Sequence, residues 1–234
     1  MTDEVHLAKV EHMVKPMYAQ LNLWAHAWPH IRRVAKHSRD LALLVGVKVD
    51  PIACQIAAYW HDLGRVVEEA ITGPRRELGQ ADHSLDSISP TVDILREVGI
   101  EGYSFNSIVG AVTVHSDKLY YGRNLVAKVL RDSDKKDSLG PWGLLRNVNH
   151  HFGDVVETPR ILQSQGNPEE IRTLADETLQ IIKSGDPQRL NRYLTVLGFV
   201  LEWVDKRMLD TEQAYDFIRP EYEYHRNARE FLLK

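Results

Sequence analysis

Apolar residues recur along this chain with the three- and four-residue spacing of helices that bury one face. The face that follows Pro29 carries four of them, Ile31, Val34, Leu41 and Val45. Proline is well placed at the first position of a helix, and Gly46 is expected to end this one. Asp50-Pro51 then predicts a second helix, because aspartate is a good N-cap and proline fits the first turn.

The helix that begins at Pro51 is short and almost wholly apolar. Its buried face is expected to contain Ile52, Ala53, Ile56, Ala57 and Trp60, and it leads directly to His61. Gly64 is a candidate for a left-handed residue that ends the helical run. A helix with so few polar positions belongs at the centre of a helical bundle.

Further helical patterns cover residues 82–99, 105–115, 124–134, 141–151, 169–183 and 187–210. Pro90 falls inside the first of these, where it either kinks the helix or starts it afresh after Ser89. No stretch alternates cleanly between apolar and polar residues, so strands are not expected. The fold class predicted is all-α, in one domain over residues 1–234. Its core would span about residues 20–150, with C-terminal helices at about 165–234 packed on it.

Composition places the chain among ordinary globular proteins, with 43% hydrophobic and 26% charged residues in a length of 234. The net charge of −4 predicts no broad positive surface for extended nucleic acid or an anionic membrane. The longest apolar region, 193–204, is too short for a membrane span and contains Glu202. Residues 1–12 lack the apolar stretch of a signal peptide, so a cytoplasmic location is expected.

The candidate chemistry centres on His61-Asp62, at the end of the apolar helix. Adjacent ionisable residues are costly to bury unless a charged partner satisfies them. A divalent metal would do so, because imidazole and carboxylate both bind such ions. His30 lies upstream and Asp134 far downstream, and a folded bundle can bring ligands from separate helices to one ion.

These residues and their flanks resemble the H…HD…D signature of the HD-domain superfamily of metal-dependent phosphohydrolases. The small stand-alone bacterial members are the most similar. Three pieces carry the resemblance, in the family's order: residues 26–34 around the first histidine, 59–65 around the His-Asp pair and 127–134 around the last aspartate. The resemblance implies an HD-domain-like helical bundle.

The resemblance also implies a metal site and a reaction. The metal ligands would be His30, His61, Asp62 and Asp134. Two imidazoles and two carboxylates suit Mn²⁺, Fe²⁺, Co²⁺, Ni²⁺ or Zn²⁺ better than Ca²⁺, and Mg²⁺ less well. One ion is expected, and two would also fit. The reaction implied is hydrolysis of a phosphomonoester or phosphodiester by a metal-activated water, which Asp62 would help to orient. The expected substrate is a small phosphorylated molecule, most often a nucleotide in this family.

Four further residues are candidates for catalysis or substrate binding. His83 and His115 lie where many family members carry extra histidines, which hold a second metal or contact the scissile phosphate. A positively charged histidine there could protonate the leaving oxygen. Arg65 and Lys128 are candidates for binding the anionic oxygens.

Each candidate also has an ordinary structural interpretation. His83, His115, Arg65 and Lys128 could be surface or hydrogen-bonded core residues. His26 is expected to have a supporting or exposed role. Asp132 competes with Asp134 for the last ligand position, and is expected to support that ligand without contacting the metal itself.

Two other functions would use the same scaffold. One is a dinuclear-iron oxygenase, which a visible absorption band and bound iron would reveal. The other is a non-catalytic metabolite-binding module, which the intact ligand set argues against. A homo-oligomer is compatible with the sequence.

Overall fold

The computed structural model describes residues 2–19, 26–66, 83–117, 120–152 and 167–234. Within these ranges every extended regular element is a helix, so the all-α prediction is confirmed. The chain divides into two compact units, residues 1–133 and 134–234. That the whole chain forms a single domain stays a prediction.

The first unit contains six complete helices, counted over its described residues, and most of a seventh that crosses into the second unit. They are α1 (Glu4–Tyr18), α2 (Trp28–Val45), α3 (Pro51–Trp60), α4 (His83–Asp86), α5 (Ile88–Glu97), α6 (Gly102–Val114) and α7 (Leu125–Asp137).

The short apolar helix lies at the centre of this unit, as its sequence predicts. α3 packs against α1, α2 and α6, and all of its residues from Ile56 to Trp60 are buried. Asp50 caps its N-terminus by accepting hydrogen bonds from the backbone N–H groups of Ile52 and Ala53. Gly46 ends α2 with a φ of 89°, a backbone conformation that favours glycine.

The helix predicted over residues 82–99 is interrupted at Ser87, between α4 and α5. Pro90 becomes the third residue of α5, where its missing N–H group would have no helical partner in any case. The second helix therefore begins at Ile88, two residues before the start after Ser89 that the sequence suggests. Gly73-Pro74 and Gly79 predict a short helix and a loop over residues 65–82, a segment that lies almost wholly outside the described residues.

The second unit contains α8 (Gly140–Phe152), α9 (Pro168–Ser184), α10 (Pro187–Asp205) and α11 (Glu212–Leu233). α8 packs against the other three. The Lys136 ammonium is buried here, 2.5 Å from Glu221 Oε2, and donates a hydrogen bond to the Phe217 carbonyl. Across the described ranges, no helix has both the length and the hydropathy that crossing a membrane requires.

Candidate metal centre

Two helices of the first unit end in histidines that are held in the same way. His61 is the C-cap of α3 and His115 is the C-cap of α6. Each Nδ1 lies 2.7 Å from the backbone carbonyl three residues earlier, that of Ala58 or of Val112. Because a carbonyl oxygen only accepts, each Nδ1 carries a proton, and in the neutral ring Nε2 is left with a lone pair.

The carboxylate of Asp62 is buried between imidazole rings, and its Oδ2 faces three of them. His26 Nδ1 lies 2.6 Å from Oδ2, His30 Nε2 lies 3.4 Å from it, and His61 Nε2 lies 3.5 Å from it. The Nε2 atoms of His30 and His61 are 3.3 Å apart. One carboxylate oxygen and two imidazole nitrogens therefore converge at this side of Asp62.

The other oxygen of Asp62 faces a second group of side chains. Oδ1 lies 3.6 Å from His83 Nε2, 3.7 Å from Arg65 Nε and 3.9 Å from His115 Nε2. Arg65 Nη2 is also 3.4 Å from His83 Nε2. The Arg65 side chain is 29% exposed, so this side of the carboxylate lies nearer to solvent.

Burial and the neighbouring rings set the charges of this cluster. Burial alone would raise the pKa of Asp62, but His61 and His26 hold that pKa well below its usual range. Burial is also the main cause that lowers the pKa of His115 to about 3, and the positive charge of His61 adds to it. Asp62 is therefore an anion and His115 a neutral imidazole at pH 7.

The cluster has the features expected of a cation site. His115 Nε2 is buried without a hydrogen-bond partner among the described residues, and it faces a carboxylate oxygen that also only accepts. A cation between two such atoms would remove both the repulsion and the cost of burying an unpaired acceptor. Ligand atoms of Asp62, His83 and His115 lie within 4.8 Å of one another. Imidazole nitrogen with carboxylate oxygen suits a divalent transition metal.

Gly64 is needed for a close approach between backbones, and the prediction of a left-handed helix end is wrong. Its φ is not positive, and a Cβ atom there would lie 2.0 Å from the backbone oxygen of His83. Its N–H group donates to Ser87 Oγ at 2.7 Å, and Ser87 Oγ donates to the same His83 oxygen at 2.6 Å. Glycine and serine together set the distance of α4, and so of His83, from Asp62.

Arg131 holds the backbone at the end of α6, which carries His115. Its buried guanidinium donates from Nη1 to the carbonyl oxygens of Val114, at 3.1 Å, and His115, at 3.3 Å. It also donates to the carbonyl of Asp117. These carbonyls lie at or just after the last helical turn, and the Val114 oxygen also accepts a hydrogen bond from the N–H group of Asp117. The motif around the last aspartate includes this arginine, but its spacing does not reveal the contact.

The structure brings together six of the side chains that the sequence predicts for the site: His30, His61, Asp62, Arg65, His83 and His115. His26 joins them at a shorter distance from Asp62 than any of these, although the sequence suggests a lesser role for it. Its spacing of four residues before His30 is the available signal. The functions of all these residues stay predictions.

The roles of two further predicted site residues, Lys128 and Asp134, are not tested by the contacts described above. Lys128 is half-buried on α7, and its role in substrate binding stays a prediction. Asp134 is the first residue of the second unit, where Arg146 Nη1 lies 3.7 Å from its Oδ1. Asp132 is fully buried in the first unit. Whether Asp134 is a metal ligand also stays a prediction.

Part of this chain matches a known protein family. Residues 28–139 match the family model described as the HD domain. This chain contains an HD domain. The match contains His30, the His61-Asp62 pair and Asp134, and it begins two residues after His26.

Individual relatives agree with this assignment at the level of the fold. A crystal structure of a predicted HD superfamily hydrolase from an uncultured Thermotogales bacterium is 21% identical, with a TM-score of 0.50. The match covers 86% of this chain and 92% of that one. A crystal structure from Lactobacillus plantarum is 17% identical, with a TM-score of 0.60, over 99% of this chain and 97% of that one.

A curated relative is much longer than the region that it shares with this chain. Ribonuclease Y of Malacoplasma penetrans is 21% identical over 167 residues, or 69% of this chain. The chain spans only 31% of the length of that relative.

Proposed function

We propose that this HD-domain protein is a metal-dependent phosphohydrolase that cleaves a phosphomonoester or phosphodiester in a small, nucleotide-like molecule. The observation that supports it best is the buried Asp62 carboxylate, which imidazole nitrogens face at both oxygens. The Nε2 atoms of His61 and His115 and the carboxylate oxygens that they face are acceptors, and a divalent ion would supply the positive partner that such a group of acceptors favours.

His30, His61 and Asp62 would hold the ion, with Asp134 as the fourth ligand on sequence grounds. Once bound, the ion would supply a water molecule of lowered pKa and would neutralise charge on a phosphoryl oxygen. Asp62 would also orient the attacking water, because its second oxygen faces the more exposed side of the cluster.

The arrangement around Oδ1 suggests how a phosphate would be held. Arg65 lies beside this oxygen and is partly exposed, so its guanidinium could donate to phosphate oxygens. His83 lies 3.4 Å from Arg65 and could donate a proton to the leaving oxygen. Lys128 is proposed as a further contact for the anion.

One ion is proposed, at the Oδ2 side of Asp62. The nitrogens of His83 and His115 at the Oδ1 side could hold a second, because their ligand atoms and that of Asp62 lie within 4.8 Å of one another. The metal content of the purified protein distinguishes the two arrangements, and removal of His83 should lower it only if two ions are bound.

The charge of the chain and its coverage of the curated relative bear on the substrate class. The curated relative is named a ribonuclease, but this chain spans less than a third of its length. The net charge of −4 argues against a long polyanion as the substrate. A mononucleotide or a similar phosphorylated metabolite fits both the charge and the proposed chemistry.

The test is a substrate screen with protein loaded separately with Mn²⁺, Fe²⁺, Co²⁺, Ni²⁺ or Zn²⁺. The panel contains p-nitrophenyl phosphate, bis-p-nitrophenyl phosphate, nucleotides and a short oligoribonucleotide. We expect metal-dependent release of phosphate or of a nucleotide product. His61→Ala and Asp62→Ala should abolish turnover while helical content is kept. His12→Ala, which alters an exposed histidine of α1, should change nothing.

Three results would contradict the proposal. Turnover that persists in either site variant would reject the mechanism. A protein that takes up no metal would reject the site. Bound iron with a visible absorption band, without hydrolysis of any phosphate ester, would favour an oxygenase instead.

A further inference from the structure

The contact between His26 and Asp62 is the shortest that the structure gives for the Asp62 carboxylate. His26 Nδ1 lies 2.6 Å from Oδ2, whereas the nitrogens of His30 and His61 are 3.4 and 3.5 Å away. His26 precedes α2, is half-buried, and packs its ring edge-on to that of His30, with the centroids 5.9 Å apart. Its distance to Oδ2 is that of a strong hydrogen bond.

The direction of this hydrogen bond follows from the acceptor. An ionised carboxylate only accepts, so Nδ1 of His26 must carry the proton. A protonated ring nitrogen has no lone pair for a metal ion, so this atom cannot be a ligand while the bond exists. The contact therefore acts on the carboxylate, rather than on an ion directly.

A donor on one oxygen makes the two oxygens of Asp62 unequal. Oδ2 is held between His26 and the nitrogens of His30 and His61, and Oδ1 is left facing His83 and Arg65. The nitrogens of His30 and His61 lie further from Oδ2, at 3.4 and 3.5 Å, so the bond from His26 restrains rotation about the Cβ–Cγ bond more closely than they do. The side-chain torsion next to a carboxylate is broad and weakly restrained.

We propose that His26 is a positioning residue, which donates a hydrogen bond from Nδ1 to Oδ2 of Asp62 and fixes the plane of that carboxylate toward the metal. The proposal rests on the proposed metal site. Partners that orient a ligand in this way typically change metal affinity or activity by about 10- to 100-fold.

The experiment compares Mn²⁺ binding by titration calorimetry with steady-state kinetics at saturating Mn²⁺. His26→Ala should weaken Mn²⁺ binding by about 10- to 100-fold and lower kcat, with little change in KM. His26→Asn should restore most of the affinity, because its amide NH₂ can replace Nδ1–H. His26→Gln places the donor one carbon further out and should restore less.

The chain offers a matched control. His6 Nδ1 lies 2.7 Å from Asp3 Oδ1 at the start of α1, so this pair has the same geometry at the surface. His6→Ala should leave Mn²⁺ affinity and kcat unchanged. Far-UV circular dichroism on every variant confirms that helical content is kept.

The possible outcomes separate this proposal from the proposed function. If the wild-type protein binds no Mn²⁺, the titration is repeated with Fe²⁺, Co²⁺, Ni²⁺ and Zn²⁺, and binding of none of them rejects the metal site itself. If the wild type binds Mn²⁺ and His26→Ala binds it equally well, only the role of His26 is rejected. Loss of one whole ion from the stoichiometry of His26→Ala would make His26 a ligand and overturn the positioning role. A folded His26→Asn that behaves like His26→Ala would also overturn it.

Discussion

Replacing Gly64 by alanine tests how the structure sets the position of His83. The added Cβ would lie 2.0 Å from the backbone oxygen of His83 and 2.7 Å from its Cα, whereas ordinary van der Waals contact begins at 3.4 Å. The two backbones must therefore separate by more than about 1 Å. The hydrogen bonds that Ser87 makes to both residues would lengthen as well. Such overpacking typically costs about 1–3 kcal/mol of stability.

The functional effect follows from the distance between His83 and Asp62. His83 Nε2 lies 3.6 Å from Asp62 Oδ1, and a misplacement of about 1 Å near reacting groups can cost about 100-fold in rate. We expect Gly64→Ala to lower kcat/KM by about that factor in metal-loaded protein. Far-UV circular dichroism should show retained helices, and urea unfolding should show the lower stability.

A double-mutant cycle identifies the residue through which the change acts. If Gly64→Ala acts through His83, the variant that combines it with His83→Ala should be no slower than His83→Ala alone. Gly198→Ala is the control, because a Cβ at that helical glycine would meet nothing within 4 Å. Wild-type activity and stability in Gly64→Ala would refute the reasoning, and so would fully multiplicative losses in the double variant.

Two further predictions concern stability. At Mn²⁺ concentrations about 100 times Kd, binding should stabilise the protein by about 2.7 kcal/mol, raising Tm by roughly 5–10 °C. EDTA should reverse the rise and Asp62→Asn should lack it; a rise in Asp62→Asn would place the ion elsewhere. Burial lowers the pKa of His225 to about 3, from about 6.5 in an unfolded chain. Between these pH values the unfolded chain binds a proton that the folded protein does not, so the free energy of unfolding is highest above pH 6.5 and falls as the pH drops from 6.5 to 3. From pH 7.5 to 5.0 the wild type should lose about 2 kcal/mol more than His225→Phe in urea unfolding, and equal losses would contradict the assignment.

The sequence predicts some helices from their apolar faces and misses others. α1 is not predicted, although its buried residues Leu7, Val10, Val14 and Tyr18 are apolar or aromatic. α3 is recognisable because its buried residues are apolar or aromatic almost throughout. α11 is not predicted, although its buried positions have helical spacing. They are Ala214, Ile218, His225, Ala228 and Leu232. Two alanines and a histidine make this face only weakly apolar, although its spacing is helical, and the segment as a whole is rich in charged residues.

The candidate site shows a similar division. Ligand types and local motifs identify the His61-Asp62 pair, His30 and the outer histidines without coordinates. The contacts of Gly64 and His26 join segments that are 19 and 36 residues apart, and no local pattern records such distances. The sequence suggests that Gly64 matters for its own backbone conformation, whereas it matters because another backbone passes beside it. Close approach and backbone freedom both favour glycine, and the sequence alone does not separate them.

The location of the His-Asp pair at a helix end has an electrostatic consequence. α3 and α6 pack against each other and end at His61 and His115, whose rings meet edge-on with centroids 5.3 Å apart. A helix C-terminus carries a partial negative charge of about half a unit, and two such ends lie beside the buried Asp62 anion. The Nδ1–H groups of both rings are used on helix carbonyls, which turns the Nε2 lone pairs toward the carboxylate. This part of the site therefore presents negative potential and acceptor atoms, which attract a cation and repel phosphate. An anionic substrate would consequently depend on a bound cation to approach Asp62, with Arg65 assisting from the more exposed side.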